Sequence, residues 1–112
     1  MPTGLPDAAN AVIPLEKVAD YLLSDTHPVG RHKAKWFRRH GYLSTQPELL
    51  HDALQECAEH GDVTETIAVD YGTKYVVTHE VTSPTGKRLT LRTVWIIELG
   101  LPPRLVTAYP SE

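Results

Sequence analysis

Residues 87–98 read Lys-Arg-Leu-Thr-Leu-Arg-Thr-Val-Trp-Ile-Ile-Glu, and this stretch decides the fold. Because successive side chains of a strand point to opposite faces, one face carries Arg88, Thr90 and Arg92. The other face carries the side chains of Leu89, Leu91, Thr93, Trp95 and Ile97. The pattern predicts a long strand with one face for helix packing and a second, cationic face that forms an open groove.

Turn signals lie on both sides of this strand. Ser83-Pro84-Thr85-Gly86 precedes it, and a Gly- and Pro-containing turn at 99–103 follows it. Period-two segments at 63–69, 74–81 and 104–109 predict three further strands. Short turns between successive strands imply antiparallel pairing, so the sequence predicts a four-stranded antiparallel meander.

The helical period occupies the chain before these strands. Pro14 begins a predicted helix with an apolar stripe over 15–22, and a second helix runs from near residue 28 or 30 to His40. A third spans 47–60 and ends at Gly61. The predicted fold class is therefore α+β, with N-terminal helices packed on the sheet.

Length and composition fit one globular domain over residues 1–112, at 41% hydrophobic and 22% charged residues. Residues 1–12 show no period and are predicted to form a flexible N-terminal tail. No apolar run approaches the roughly 18 residues of a membrane span, and no secretion signal of the usual type is present. With a single cysteine, Cys57, the chain is expected to be cytoplasmic, without a membrane partner.

The cations are concentrated in residues 31–40, which hold five of the eleven Lys and Arg residues of a chain with net charge −3. Between His40 and Lys74 there is no Lys or Arg. Such a polarised surface attracts phosphates on one side. The alternative is a solvated helix face. The candidate RNA-binding residues are Arg31, Lys35, Arg38, Arg39 and, from the last strand, Tyr109.

Residue spacing argues against several chemistries. The six histidines show no metal-ligand spacing, there is no HExxH or CxxC, and no phosphate or dinucleotide loop occurs, so we expect no metal and no cofactor. Metal-independent RNA cleavage needs a base, an acid and a cation that stabilises the phosphorane. The candidates for these roles are His27, Lys33, Lys74 and Arg92, with hydroxyls from Thr107 and Tyr109. His27 as a helix cap and Lys74 as an ordinary edge lysine are the structural alternatives.

Several segments resemble a family of small bacterial domains of unknown function that occur alone, beside a small partner gene, and at the C-termini of polymorphic and contact-dependent toxins. They are Tyr21-Leu22-Leu23, His27-Pro28-Val29-Gly30 with Lys33-Ala34, Gly72-Thr73-Lys74-Tyr75, Thr93-Val94-Trp95 and 104–110. This family is similar to the barnase/EndoU/colicin/RelE-like (BECR) superfamily of metal-independent ribonuclease toxins. The resemblance implies a site built from His27, Lys33, Lys74, Thr93 and Thr107, to which Arg92 is added from its strand face.

The function expected from the resemblance is a metal-independent ribonuclease toxin of a toxin–antitoxin or contact-dependent competition system. Its partners would be RNA and a cognate antitoxin or immunity protein. The net charge of −3 fits a specific target such as tRNA or ribosome-bound mRNA better than general RNA binding. Two alternatives stay open, a non-catalytic protein-binding module (antitoxin, immunity protein or adaptor) and an RNA-binding domain that does not cleave.

Overall fold

The computed structural model describes residues 4–18, 31–43 and 45–111, and for residues 17 and 31–33 the description covers the backbone only. A short 3-10 helix precedes three α-helical segments and four strands. The helical segments are Ala8–Asn10, α1 (Leu15–Lys17), α2 (Arg31–Arg39) and α3 (Pro47–His60). The strands are β1 (Asp62–Val69), β2 (Gly72–Thr82), β3 (Arg88–Glu98) and β4 (Arg104–Pro110). The predicted α+β class is confirmed.

The four strands form one antiparallel sheet in the order β1-β2-β3-β4, which confirms the predicted meander. The register of β4 contains a bulge: Val94 pairs with Thr107 while Trp95 pairs with Leu105, so Val106 is an extra residue. Because directly paired residues share a face, the bulge lets Leu105 face the core while Thr107 faces the opposite side.

The core lies between α3 and one face of the sheet. Apolar residues of α3 at helical spacing pack on β2 and β3, as the period of this segment predicts. Gly61 follows the last residue of the helix, and a Cβ there would lie 2.5 Å from Val77 Cγ1, so the chain passes close to β2 at this point. The largest fully buried side chains include Phe37, Tyr42, Leu50, Leu54, Leu91, Trp95 and Leu105.

Residues of the N-terminal segment contact this core and the end of the sheet. Leu5 is buried with Ile13 in the core. Val12 N donates to Pro103 O at 2.7 Å, and Leu105 N donates to Val12 O at 3.0 Å, so Val12 extends the sheet beyond β4. Two isolated apolar residues and one parallel bridge leave no periodic signal in the sequence, which is why the packing was missed.

Helix α2 is fixed to the rest of the fold through its apolar face and its C-terminus. Ala34 and Phe37 are buried, and the ring of Phe37 meets Tyr42 edge-on with centroids 6.1 Å apart. Gly41 follows the helix with φ of 95°, a conformation that glycine adopts without strain. Its Cα lies against Pro84, which ties the end of α2 to the turn between β2 and β3.

Candidate functional site

The outer face of the sheet, which we define as the face turned away from α3, collects four of the sequence-predicted site residues. These are Lys74 on β2, Arg92 on β3, and Thr107 and Tyr109 on β4. The shared face follows from strand alternation and, for Thr107 and Tyr109, from the bulge at Val106. The other residues of this face include Glu65, Ile67, Val76, Thr78, Glu80, Arg88, Thr90, Val94 and Ile96.

The register arranges these residues in cross-strand rows. Arg92 pairs with Tyr109, and in the next row Val94 pairs with Thr107. Paired Cα atoms in antiparallel strands lie about 5 Å apart, and successive residues of one face lie about 7 Å apart along a strand. Lys74 pairs with Ile96, one row beyond Thr107. The row of Thr107 therefore lies between the rows of Lys74 and Arg92, about 7 Å from each along the strands.

Lys74 and Arg92 lie on this face together with carboxylates, including Glu65 and Glu80, and beside buried apolar side chains. Within the described residues neither Lys74 nor Arg92 forms an ion pair, whereas Arg104 bonds Glu98 at 3.1 Å and Arg88 pairs with Glu80. Two apolar side chains of the same face are buried, Val76 at 6% exposure and Ile96 at 3%. Cations beside a dry, apolar floor interact more strongly with a phosphate than cations surrounded by water.

Thr93 does not lie on the outer face. It is fully buried on the core face, where its Oγ1 donates to Val77 O at 3.0 Å and accepts from Trp95 Nε1 at 2.8 Å. Both hydrogen-bonding functions of the hydroxyl are therefore occupied inside the core. This position favours a structural role for Thr93, and Trp95 is a core residue as its strand position indicated.

The candidates from the helical part are described only in part. His27 lies outside the described residues, and for Arg31 and Lys33 the structure gives the helical backbone but not the side chains. Lys35 and Arg39 are exposed on α2, and Arg38 is partly buried. A position of His27 and Lys33 beside Lys74 and Arg92 therefore stays a prediction.

The structure also brings together a pair that sequence reasoning missed. His79 Nε2 lies 2.8 Å from Glu56 Oε2, where β2 meets α3 on the core side of the sheet. The two residues are 23 positions apart and on different elements, so no local pattern signals the contact. The pair lies on the opposite side of the sheet from Lys74 and Arg92, and therefore outside the candidate site.

Burial suppresses the ionisation of two other titratable groups on the core side, Cys57 and Tyr42. Burial, with a smaller contribution from the Glu56 carboxylate, raises the pKa of the Cys57 thiol to about 12. Burial likewise raises the pKa of Tyr42 to about 12. Both groups are protonated at neutral pH, so neither supplies a nucleophile or a base there.

Residues 4–18, 31–43 and 45–111 contain no group of three or more His, Cys, Asp or Glu residues placed to hold a metal ion. Over the same residues, no helix has the length and apolar character needed to cross a membrane.

Comparison with known proteins places the chain in a family. Residues 4–112 match the family described as Domain of unknown function (DUF6883). The chain belongs to this family. No curated protein matches it. The fold is similar to that of a chain in a contact-dependent growth inhibition toxin–immunity protein complex from Klebsiella pneumoniae 342, with a TM-score of 0.64 and 15% identity, covering 89% of this chain and 99% of that one. At this identity the likeness shows a shared fold.

Proposed function

We propose that this member of the DUF6883 family is a metal-independent ribonuclease toxin with a BECR-like fold, and that the outer face of its sheet is the catalytic surface. The observation that carries the proposal is the placement of Lys74, Thr107 and Arg92 on that one face, in three successive rows that include the buried side chains of Val76 and Ile96. Its fold is shared with a chain of a toxin–immunity complex, which supports the toxin class.

The proposed reaction is internal transesterification of RNA. The 2′-oxygen forms a bond to the adjacent phosphorus as a base takes its proton, and the bond from phosphorus to the 5′-oxygen breaks as an acid protonates that oxygen. Lys74 and Arg92 stabilise the charged phosphorane from the two sides of the Thr107 row, and the Thr107 hydroxyl donates to a phosphate oxygen. His27 and Lys33 are the proposed partners in proton transfer. The products are a 2′,3′-cyclic phosphate and a 5′-hydroxyl.

The proposal includes a cognate protein that neutralises the toxin. Exposed cations on α2, with Lys74 and Arg92 on the sheet, suit a partner that presents Asp and Glu side chains and covers the site. The target would be RNA in the cytoplasm, with tRNA or mRNA as the proposed classes. The similar structure, being a toxin–immunity complex, supports a partner of this kind.

The second candidate function is that of the neutralising protein itself. Exposed carboxylates cover α3 and β1, from Glu48 and Asp52 to Glu65 and Asp70, and no Lys or Arg interrupts them in the sequence. An acidic surface of this kind is what an inhibitor presents to a cationic toxin.

Induced expression in bacteria, with growth and total RNA followed over time, tests the proposal. We expect growth arrest and RNA fragments with 2′,3′-cyclic ends, formed equally by purified protein in excess chelator. Lys74→Ala and Arg92→Ala should each lower cleavage about 100-fold, since each removes a charge that stabilises the transition state. Arg104→Ala is the matched control, because Arg104 lies on the same face but pairs with Glu98, and it should cleave as the parent does.

Other outcomes separate the alternatives. RNA that is bound but never cut would indicate a binding domain. If this protein causes no growth arrest but relieves the arrest caused by the product of the neighbouring gene, it is the neutralising protein. Cleavage lost in chelator and restored by a divalent ion would exclude the metal-independent mechanism. The neighbouring gene's product should relieve the arrest if this chain is the toxin.

A further inference from the structure

A hollow of about 160 Å³ lies where α2 meets the beginning of β3 and the end of the described chain. Two aromatic rings, two cations, two hydroxyl-bearing residues and one leucine line it: Trp36, His40, Lys87, Arg88, Thr90, Ser111 and Leu89. It lies apart from the rows of Lys74 and Thr107, and none of its lining residues belongs to the proposed catalytic set. Its chemistry therefore needs a separate explanation.

The aromatic side of the hollow is held in place by the core. The ring of Trp36 meets His40 with centroids 4.8 Å apart and an interplanar angle of 64°. Trp36 also meets the fully buried Phe37 edge-on, with centroids 5.3 Å apart. Trp36 is thus anchored against the core while it lines the hollow, a pre-organised aromatic surface of the kind on which nucleobases stack.

The polar side of the hollow suits a phosphate. Lys87 is exposed and forms no ion pair within the described residues, whereas Arg88 is engaged by Glu80. Thr90 adds a hydroxyl-bearing side chain that is partly buried. The ammonium group of Lys87, beside a hydroxyl and two aromatic rings, provides one place for a phosphate, and the rings provide one for a base.

The hollow is continuous with the outer face. Thr90 and Arg92 share that face and are successive residues of it, so their Cα atoms lie about 7 Å apart. A strand of RNA whose phosphate lies at Arg92 therefore passes Thr90 and reaches Trp36. The exposed cations Lys35 and Arg39 lie on the same helix as Trp36 and extend the positive surface.

We infer that this hollow binds one unpaired nucleotide of RNA, with its base against Trp36 and His40 and its phosphate at Lys87. The inference rests on the proposed function, since it places this nucleotide next to the phosphate that is cleaved on the outer face. The occupant is single-stranded because the bases of an A-form duplex are stacked in the helix and cannot enter a hollow of this size.

Binding is tested with a fluorescein-labelled eight-nucleotide oligomer made of 2′-O-methyl RNA. This probe has no free 2′-hydroxyl and cannot be cleaved, so its binding is independent of catalysis. We expect saturable, salt-dependent binding, with affinity reduced about tenfold by Trp36→Leu and by Lys87→Ala. Arg104→Ala is again the matched control for loss of one exposed cation and should change affinity less than twofold. Circular dichroism and thermal unfolding confirm that each variant is folded.

Tryptophan fluorescence gives a second readout. The chain has two tryptophans, and Trp95 is fully buried in the core. Quenching by the oligomer should therefore come from Trp36 and disappear in Trp36→Phe, while that variant keeps most of its affinity. Quenching that persists in Trp36→Phe would overturn the assignment of the base to this ring.

The outcomes for the hollow and for catalysis are distinct. Cleavage by the parent with unchanged oligomer binding by Trp36→Leu and Lys87→Ala would overturn the inference and leave the ribonuclease proposal standing. Probe binding that depends on these residues, without cleavage of natural RNA, would support the hollow and overturn catalysis. Equal affinity for a duplex of the same length would also overturn the inference. The inference would also be overturned if Trp36→Leu and Lys87→Ala bound the oligomer normally but were no longer bound by the neutralising protein, since the hollow would then be a contact for that protein.

Discussion

Replacing Thr93 with valine removes one hydroxyl from the centre of the core and preserves the shape of the side chain. In the native protein this hydroxyl donates to Val77 O at 3.0 Å and accepts the indole N–H of Trp95 at 2.8 Å. Thr93 and Trp95 are both fully buried, so water cannot take the place of the lost hydroxyl. The variant therefore leaves the indole N–H without an acceptor.

The magnitude follows from the two bonds. The lost hydrogen bond to Val77 O contributes about 1 kcal/mol, and a buried N–H left without a partner costs about 1–3 kcal/mol. The methyl group that replaces the hydroxyl offsets up to about 1 kcal/mol through its burial. We expect Thr93→Val to lower the free energy of unfolding by about 2–3 kcal/mol, which is a large share of the stability of a small domain.

Urea unfolding followed by far-UV circular dichroism measures this change. Thr90→Val is the matched control, because Thr90 lies on the outer face of the same strand, and it should alter the free energy of unfolding by less than about 0.5 kcal/mol. In a Trp95→Phe background the same Thr93→Val substitution should cost at most about 1 kcal/mol, since no indole N–H remains to be orphaned and the buried methyl group offsets part of the lost bond to Val77 O. A cost within about 0.5 kcal/mol of zero in the parent would refute the reasoning. A stable Thr93→Val variant that no longer cleaves RNA would support the catalytic role that the family resemblance implies.

Two further predictions concern backbone and ionisation. Gly41→Ala should destabilise the protein by about 1–3 kcal/mol, because φ is positive and the new Cβ would lie 2.9 Å from Pro84 Cβ. Gly86→Ala is the control, since φ is positive there too but the space is open, and it should cost only about 1 kcal/mol. Equal losses of stability in thermal unfolding would contradict this reasoning. Burial raises the pKa of Cys57 from 9.0 to about 12 and the pKa of Tyr42 from 10.0 to about 12. As the pH rises, these groups therefore ionise in the unfolded chain before they ionise in the folded one. The stability that they confer is full below pH 9 and falls as the pH rises from 9 to 12. A urea concentration at the unfolding midpoint that does not decrease as the pH is raised from 8 to 11 would exclude this linkage.

The strands and α3 could be predicted from the sequence because each carries its own periodic signal over seven or more residues. The packing of Leu5 and the contact between His79 and Glu56 could not, because each joins residues far apart in the chain. The shared face of Lys74 and Arg92 follows from alternation within their strands and their register. Thr107 is different, since strict alternation from Leu105 would turn it toward the core, and only the pairing with β3 shows the extra residue.

That extra residue has a consequence for comparing relatives of this chain. Val106 separates Leu105 on the core face from Thr107 on the outer face, so a relative that lacks Val106 keeps both neighbours on their own sides of the sheet. Thr64 has the same place in β1, between Val63 and Glu65. Within this family a one-residue gap in an alignment is therefore harmless at these two positions. At any other position in these strands, a one-residue gap moves the residues that follow it to the opposite face of the sheet. Residues aligned beyond such a gap then no longer occupy equivalent positions in the two proteins.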